Sequence, residues 1–94
     1  MSKTGRSRFV ERRRAKRFKL ALPVQLKRAS GLTRDISTSG IFFETESAQS
    51  IGDKIGLSVD FGDTTIQCTG RVVRVEKLDG KFGVAAKLIS YFFD

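Results

Sequence analysis

The 94-residue chain has no histidine and no tryptophan, and only one cysteine, one proline and one methionine. Without histidine it has no imidazole to move a proton near neutral pH or to ligate zinc. Cys68 has no partner for an intramolecular disulfide, and one thiol does not make a zinc site. The cysteine therefore reads as a small buried hydrophobe in a reducing compartment. No apolar run approaches the roughly 18 residues of a membrane-spanning helix, and the N-terminus lacks the apolar core of a signal peptide, so the expectation is a soluble, cytoplasmic protein. No nucleophile stands beside a base and no carboxylates are paired at a defined spacing, so no enzyme is expected. The length allows one domain with a modest core.

What the chain does have is positive charge, unevenly placed. The net charge is +8, and residues 1–19 carry nine bases against Glu11 alone, while residues 20–94 balance nine bases with nine acids. A basic arm on a neutral body points to an anionic partner gripped by the arm. Residues 1–10 are polar, small and basic, the composition of a disordered tail. From Arg12 to Lys19 charge is almost continuous with no helical period, which predicts an extended, flexible arm over residues 11–19 leading into a domain that runs to residue 94.

Periodicity changes at Leu20. Leu20, Leu22, Val24 and Leu26 alternate with their neighbours as in a strand with one buried face, and Pro23 fits an edge or a strand start. Ser30-Gly31 reads as a turn, followed by strands over Leu32–Ile36 and Ile41–Thr45, with Ile41 and Phe43 on one face and Phe42 and Glu44 on the other. Ile55–Phe61 alternates again, and Gly62-Asp63 and Asp79-Gly80 are hairpin signals. Val73 and Val75 fall out of phase with Ile66, Cys68, Gly70 and Val72, which predicts a β-bulge near Gly70 to Val73. Phe82, Val84, Ala86 and Leu88 form the last alternating strand, and Ser90–Asp94 reads as the start of a helix. Six short strands joined by tight turns describe an all-β, antiparallel architecture, and closure into a small six-stranded barrel removes its edges.

Two groups of residues carry candidate binding chemistry. Arg13-Arg14-Ala15-Lys16-Arg17 contains Arg-x-x-x-Arg; it is either a solvated basic arm or a pair of planar guanidinium groups that grip phosphate or the O6/N7 edge of guanine. Asp35-Ile36-Ser37-Thr38-Ser39-Gly40 sits between two strands. It is either an ordinary turn or a guanine-recognition turn, in which a carboxylate accepts from the base's N–H donors, a hydroxyl assists and glycine permits close approach.

Together these groups resemble the PilZ domain family. The resemblance is carried by Arg13 and Arg17 ahead of the first strand, by Asp35, Ser37 and Gly40 one strand later, and by Leu22-Pro23-Val24, Ile41-Phe42-Phe43, Gly70-Arg71-Val72-Val73-Arg74 and Phe82-Gly83-Val84 around them. It implies a six-stranded barrel that is a receptor for the bacterial second messenger cyclic di-GMP, with no other cofactor and no metal. Arg13 and Arg17 would bind guanine and phosphate, and Asp35, Ser37 and Gly40 would recognise the guanine edge. Arg12 is similar to the residue found in members that take up an intercalated pair of ligands, and Arg74 either faces the ligand or is a solvated strand charge. A flexible arm closing on the ligand would pass from disorder to order, and the expected output is that ordering and an altered contact with a protein partner. Family barrels commonly close with a C-terminal helix, and this sequence stops about where it would start. Two other readings stay open: a barrel for single-stranded nucleic acid, against which the neutral body and the single outward aromatic Phe42 weigh, and a PilZ-like interaction module without ligand.

Overall fold

The structure, a computed structural model, describes residues 16–93. The tail expected over residues 1–10 and the arginines Arg12 and Arg13 lie outside the described residues. Six strands follow in chain order: β1 (Pro23–Gln25), β2 (Ser30–Ile36), β3 (Gly40–Thr45), β4 (Lys54–Asp60), β5 (Thr65–Leu78) and β6 (Lys81–Phe93). All neighbours are antiparallel, in the order β1-β2-β3-β6-β5-β4, and the sheet closes where Val24 pairs with Val59 and Gln25 with Ser58. The architecture is the closed six-stranded barrel that the alternation predicts. Among the described residues no helix is long and apolar enough to cross a membrane.

The barrel is filled by the inward members of each alternating pair. Phe43, Val59 and Val84 are wholly buried, and Val24, Ile41 and Val72 nearly so. Burial of each such side chain stabilises the fold by about 1.5–3 kcal/mol. Cys68 is a free, buried thiol in this core, and its burial pushes the thiol pKa up. Glycines with φ of +93° and +77° shape two of the predicted hairpin turns, at Gly62 and Gly80, where a side chain would strain the backbone.

Two expectations need correcting. Ser30-Gly31 is not a turn: the chain bends at Lys27 and Arg28, closed by the Leu26 N–H donating to the Ala29 carbonyl at 2.7 Å, and Ser30 already opens β2. Gly31 is needed for a different reason, since a Cβ there would lie 2.2 Å from the Glu44 carbonyl oxygen of β3. Nor does a helix begin at Ser90. The segment continues β6 and pairs with β5 as Ser90 with Thr69, Tyr91 with Cys68 and Phe92 with Gln67. Early β5 offers a partner edge here, and Tyr-Phe-Phe is a sequence that favours a pleated surface.

The remaining irregularities are β-bulges. One is at the predicted place, where the register passes from Val72 opposite Ala86 to Arg74 opposite Ala85 and leaves Val73 unmatched; close by, Thr69 faces Ser90 and Gly70 faces Leu88. A third was not predicted: in β2 the register passes from Thr33 opposite Phe43 to Asp35 opposite Phe42 and leaves Arg34 unmatched.

Candidate functional site

The two bulges that leave Arg34 and Val73 unmatched build the site. In a regular strand Arg34 and Asp35 would point to opposite faces of the sheet. The extra residue re-aims them, as bulges do, so that Thr33 and Ile36 both turn inward while Arg34 and Asp35 are both on the outer side. The bulge in β5 treats Val73 and Arg74 the same way, between the inward Val72 and Val75. One outward row therefore crosses four strands in register: Asp35 on β2, Phe42 on β3, Ala85 on β6 and Arg74 on β5. At normal strand spacing the row spans about 14 Å.

The segment ahead of β1 lies along one end of this row. Phe18 exchanges two backbone hydrogen bonds with Ile36, at 2.8 and 2.9 Å. Further on, the buried Thr33 hydroxyl donates to the Leu20 carbonyl and accepts from the Leu22 N–H at 2.9 Å. These contacts hold Arg17 beside Asp35, where its Nε–H donates to Asp35 Oδ1 at 2.9 Å and its Nη2 makes a second, shorter bond to the same oxygen. The pair is open to solvent, with side-chain exposures of 50% for Arg17 and 22% for Asp35. Arg17, Lys19, Leu20, Arg34, Asp35, Phe42, Arg74 and Ala85 line a trough of about 670 Å³. Four bases, one carboxylate and the Phe42 ring give that lining the means to engage both an anionic group and a flat, partly apolar one.

Sequence reasoning missed part of this constellation. Arg34 donates to Glu44 Oε2, and Lys81 on β6 holds the other oxygen, Glu44 Oε1, at 2.5 Å. Hydrogen bonds from Lys81 and then Arg34 lower the Glu44 pKa below its ordinary 4.5. The Arg34 and Arg74 guanidinium carbons lie 5.9 and 5.4 Å from the centre of the Phe42 ring. Strict alternation assigns Arg34 and Asp35 to opposite faces, so only the bulge brings Arg34 into the group.

Ser37 and Gly40 do not line the trough. Ser37 is buried and organises the β2–β3 turn: its N–H donates to the Gly40 carbonyl at 2.8 Å, and its Oγ accepts from the N–H groups of Gly40 at 3.1 Å and Ser39 at 3.2 Å. Gly40 lies close to β6, since a Cβ there would sit 3.3 Å from the Ala86 carbonyl. A separate depression of about 320 Å³ at one end of the barrel is lined largely by Phe18, Leu20, Ile36, Phe61, Leu88 and Tyr91. Lys16 and Ser37 also border it, but its walls are mainly apolar.

Comparison with known proteins adds two findings. Residues 11–91 match the PilZ domain family. The fold is similar to the solved structure of the Bacillus subtilis inhibitor of motility, MotI/DgrA, with a TM-score of 0.70 and 20% sequence identity over 84% of this chain and 43% of that one. The chain thus spans less than half the length of that protein, and the likeness is one of fold. No curated protein sequence matches.

Proposed function

The chain belongs to the PilZ domain family, and from that premise we propose that it is a cyclic di-GMP receptor domain, a binding module acting in the cytoplasm rather than an enzyme. The observation that carries the reading is the outward row from Asp35 to Arg74, with Arg17 held at its acidic end. In this reading the Asp35 carboxylate accepts from the N–H donors of one guanine, and Arg17 and Arg13 take phosphate and the O6/N7 edge of guanine. Arg74 supplies charge at the far end. Ser37 and Gly40 act through the turn that places Asp35, and Arg12 sets whether one ligand or an intercalated pair is held.

Asp35 and Arg17 satisfy each other in the chain without ligand, so guanine and phosphate have to take over both. The magnitudes favour the exchange. An exposed ion pair stabilises by about 0.2–1 kcal/mol, whereas each charge-assisted hydrogen bond to the ligand contributes about 1.5–3 kcal/mol. Closure of the N-terminal arm over the bound ligand is the proposed output, because it changes the surface a partner protein meets.

Calorimetric titration of the full chain with cyclic di-GMP tests the proposal. Saturable binding is expected, lost on Arg17→Ala or Arg13→Ala and weakened by Asp35→Ala. Retention of wild-type affinity by both arginine variants would refute the site. A single-stranded oligonucleotide run in parallel should bind weakly and lose affinity steeply with salt; tighter binding to it than to cyclic di-GMP would make the domain a nucleic-acid module instead.

A further inference from the structure

We infer that Phe42, with Arg34 and Arg74 beside it, is a stacking platform for one base of the ligand, and that Ala85 keeps the platform open. This rests on the ligand reading above and adds what that reading lacks, a partner for the flat faces of the base.

Phe42 sits at the centre of the outward row, half-buried on a face that the core does not use. Its position depends on two small neighbours in β6. The tip of the ring reaches Gly83, where a Cβ would come within 2.9 Å of Phe42 Cζ and push the ring tip aside. Directly across from Phe42 stands Ala85, whose methyl group is too short to cover the ring. Two planar cations lie over the ring, Arg34 from the bulge in β2 and Arg74 from that in β5, so a base stacks here by displacing one of them or against its outer plane. Arg34 is fixed in turn by Glu44, which Lys81 holds from behind. Guanidinium planes and an aromatic face both stack on nucleobases.

Such a surface binds any base by its face, so the labour is divided along the row. Asp35 selects guanine through its edge, while Phe42 supplies affinity that does not depend on which base is present. Nothing in the barrel interior needs an aromatic ring at this outward position.

The test compares Phe42→Leu, Phe42→Tyr and Ala85→Leu in the full chain by calorimetry with cyclic di-GMP, and follows the hypochromism of the ligand's base absorption on binding. Phe42→Leu keeps apolar bulk but loses the π-face, and should weaken binding about 5- to 150-fold and reduce the hypochromism with the melting temperature little changed. Phe42→Tyr should restore both signals. Ala85→Leu should weaken binding with Phe42 intact, which covers the case of a Phe42→Leu variant that folds poorly. Wild-type affinity and hypochromism in Phe42→Leu, or an Ala85→Leu variant that binds normally, overturn the platform while leaving the receptor reading in place. If the unaltered chain fails to bind cyclic di-GMP, the receptor reading fails and the platform with it.

Discussion

Replacing Gly31 and Gly56 by alanine should move stability in opposite directions, although both glycines lie in strands and neither has a positive φ. At Gly31 the new Cβ would stand 2.2 Å from the Glu44 carbonyl oxygen and 3.2 Å from Thr45 Cβ. Ordinary contact begins about 1 Å further out, so β2 and β3 must separate by that order. The separation would also strain the bond from the buried Thr45 hydroxyl to the Ser30 carbonyl, now 2.8 Å. Overpacking of this kind costs about 1–3 kcal/mol, offset by about 0.4–1 kcal/mol from the stiffer unfolded chain. The net is a loss of up to about 2.6 kcal/mol, and contact with backbone at 2.2 Å places Gly31 towards the upper end. In a domain of this size each kcal/mol moves Tm by about 4–8 °C, so Gly31→Ala should melt lower, by up to about 20 °C. At Gly56 the added methyl meets nothing within 4 Å. Only the unfolded-chain effect remains there, and Gly56→Ala should melt about 2 to 8 °C higher. Circular-dichroism melting, with urea midpoints at unchanged m, reads both. A Gly31→Ala variant that melts at or above the wild type would refute the reasoning, because no backbone atom could then lie where the close approach requires.

Two further outcomes concern the charges of the trough. Arg17→Ala, Asp35→Ala and the double variant, measured by urea unfolding, should give a coupling energy of about 0.2–1 kcal/mol, because both side chains of the pair are partly exposed. A coupling above about 2 kcal/mol would mean that the pair serves the fold rather than the ligand. Glu44 should make stability depend on acid. Its carboxyl is held below 4.5 in the folded state, so its contribution is complete above that value and disappears as pH falls through the lower folded value. The difference in urea midpoint between the wild type and Glu44→Gln should therefore shrink towards zero between neutrality and pH ~3, and a pH-independent difference would show that the Lys81 and Arg34 bonds do not discriminate the charged carboxylate.

Much of the barrel was legible because alternation and turn chemistry agree over most of its length. Ile41 and Phe43 had to share a face, and Asp79-Gly80 and Gly62 had to turn the chain. The two errors have a common origin in what local pattern omits. Gly31 looks like turn punctuation until the distance to the neighbouring strand is known, and that distance depends on its pairing with Thr45, 14 residues away, which brings the Glu44 carbonyl against it. Tyr91 and Phe92 look unpartnered until β5 is seen to begin early enough, at Thr65, to pair with them. Both are consequences of register, and a single strand does not encode its register.

The site follows the same logic, with one instructive asymmetry between its two bulges. Each leaves two inward residues three apart, Thr33 and Ile36 in β2 and Val72 and Val75 in β5, and so sends two consecutive side chains outward. In β5 the three-residue spacing is written in valines and can be read directly. In β2 one marker is a threonine, which carries no apolar signal, so Arg34 was lost from view and Asp35 was read only as part of the turn to Gly40. That threonine has a reason to be polar. Its buried hydroxyl bonds the Leu20 carbonyl and the Leu22 N–H, which ties the segment ahead of β1 to the barrel next to Asp35. A valine at position 33 would have made the bulge legible and left both backbone groups without their partner, at a cost of about 1–3 kcal/mol for each one that water could not reach. The feature that hid Arg34 and the bulge from sequence reading is thus the one that holds Arg17 within reach of Asp35.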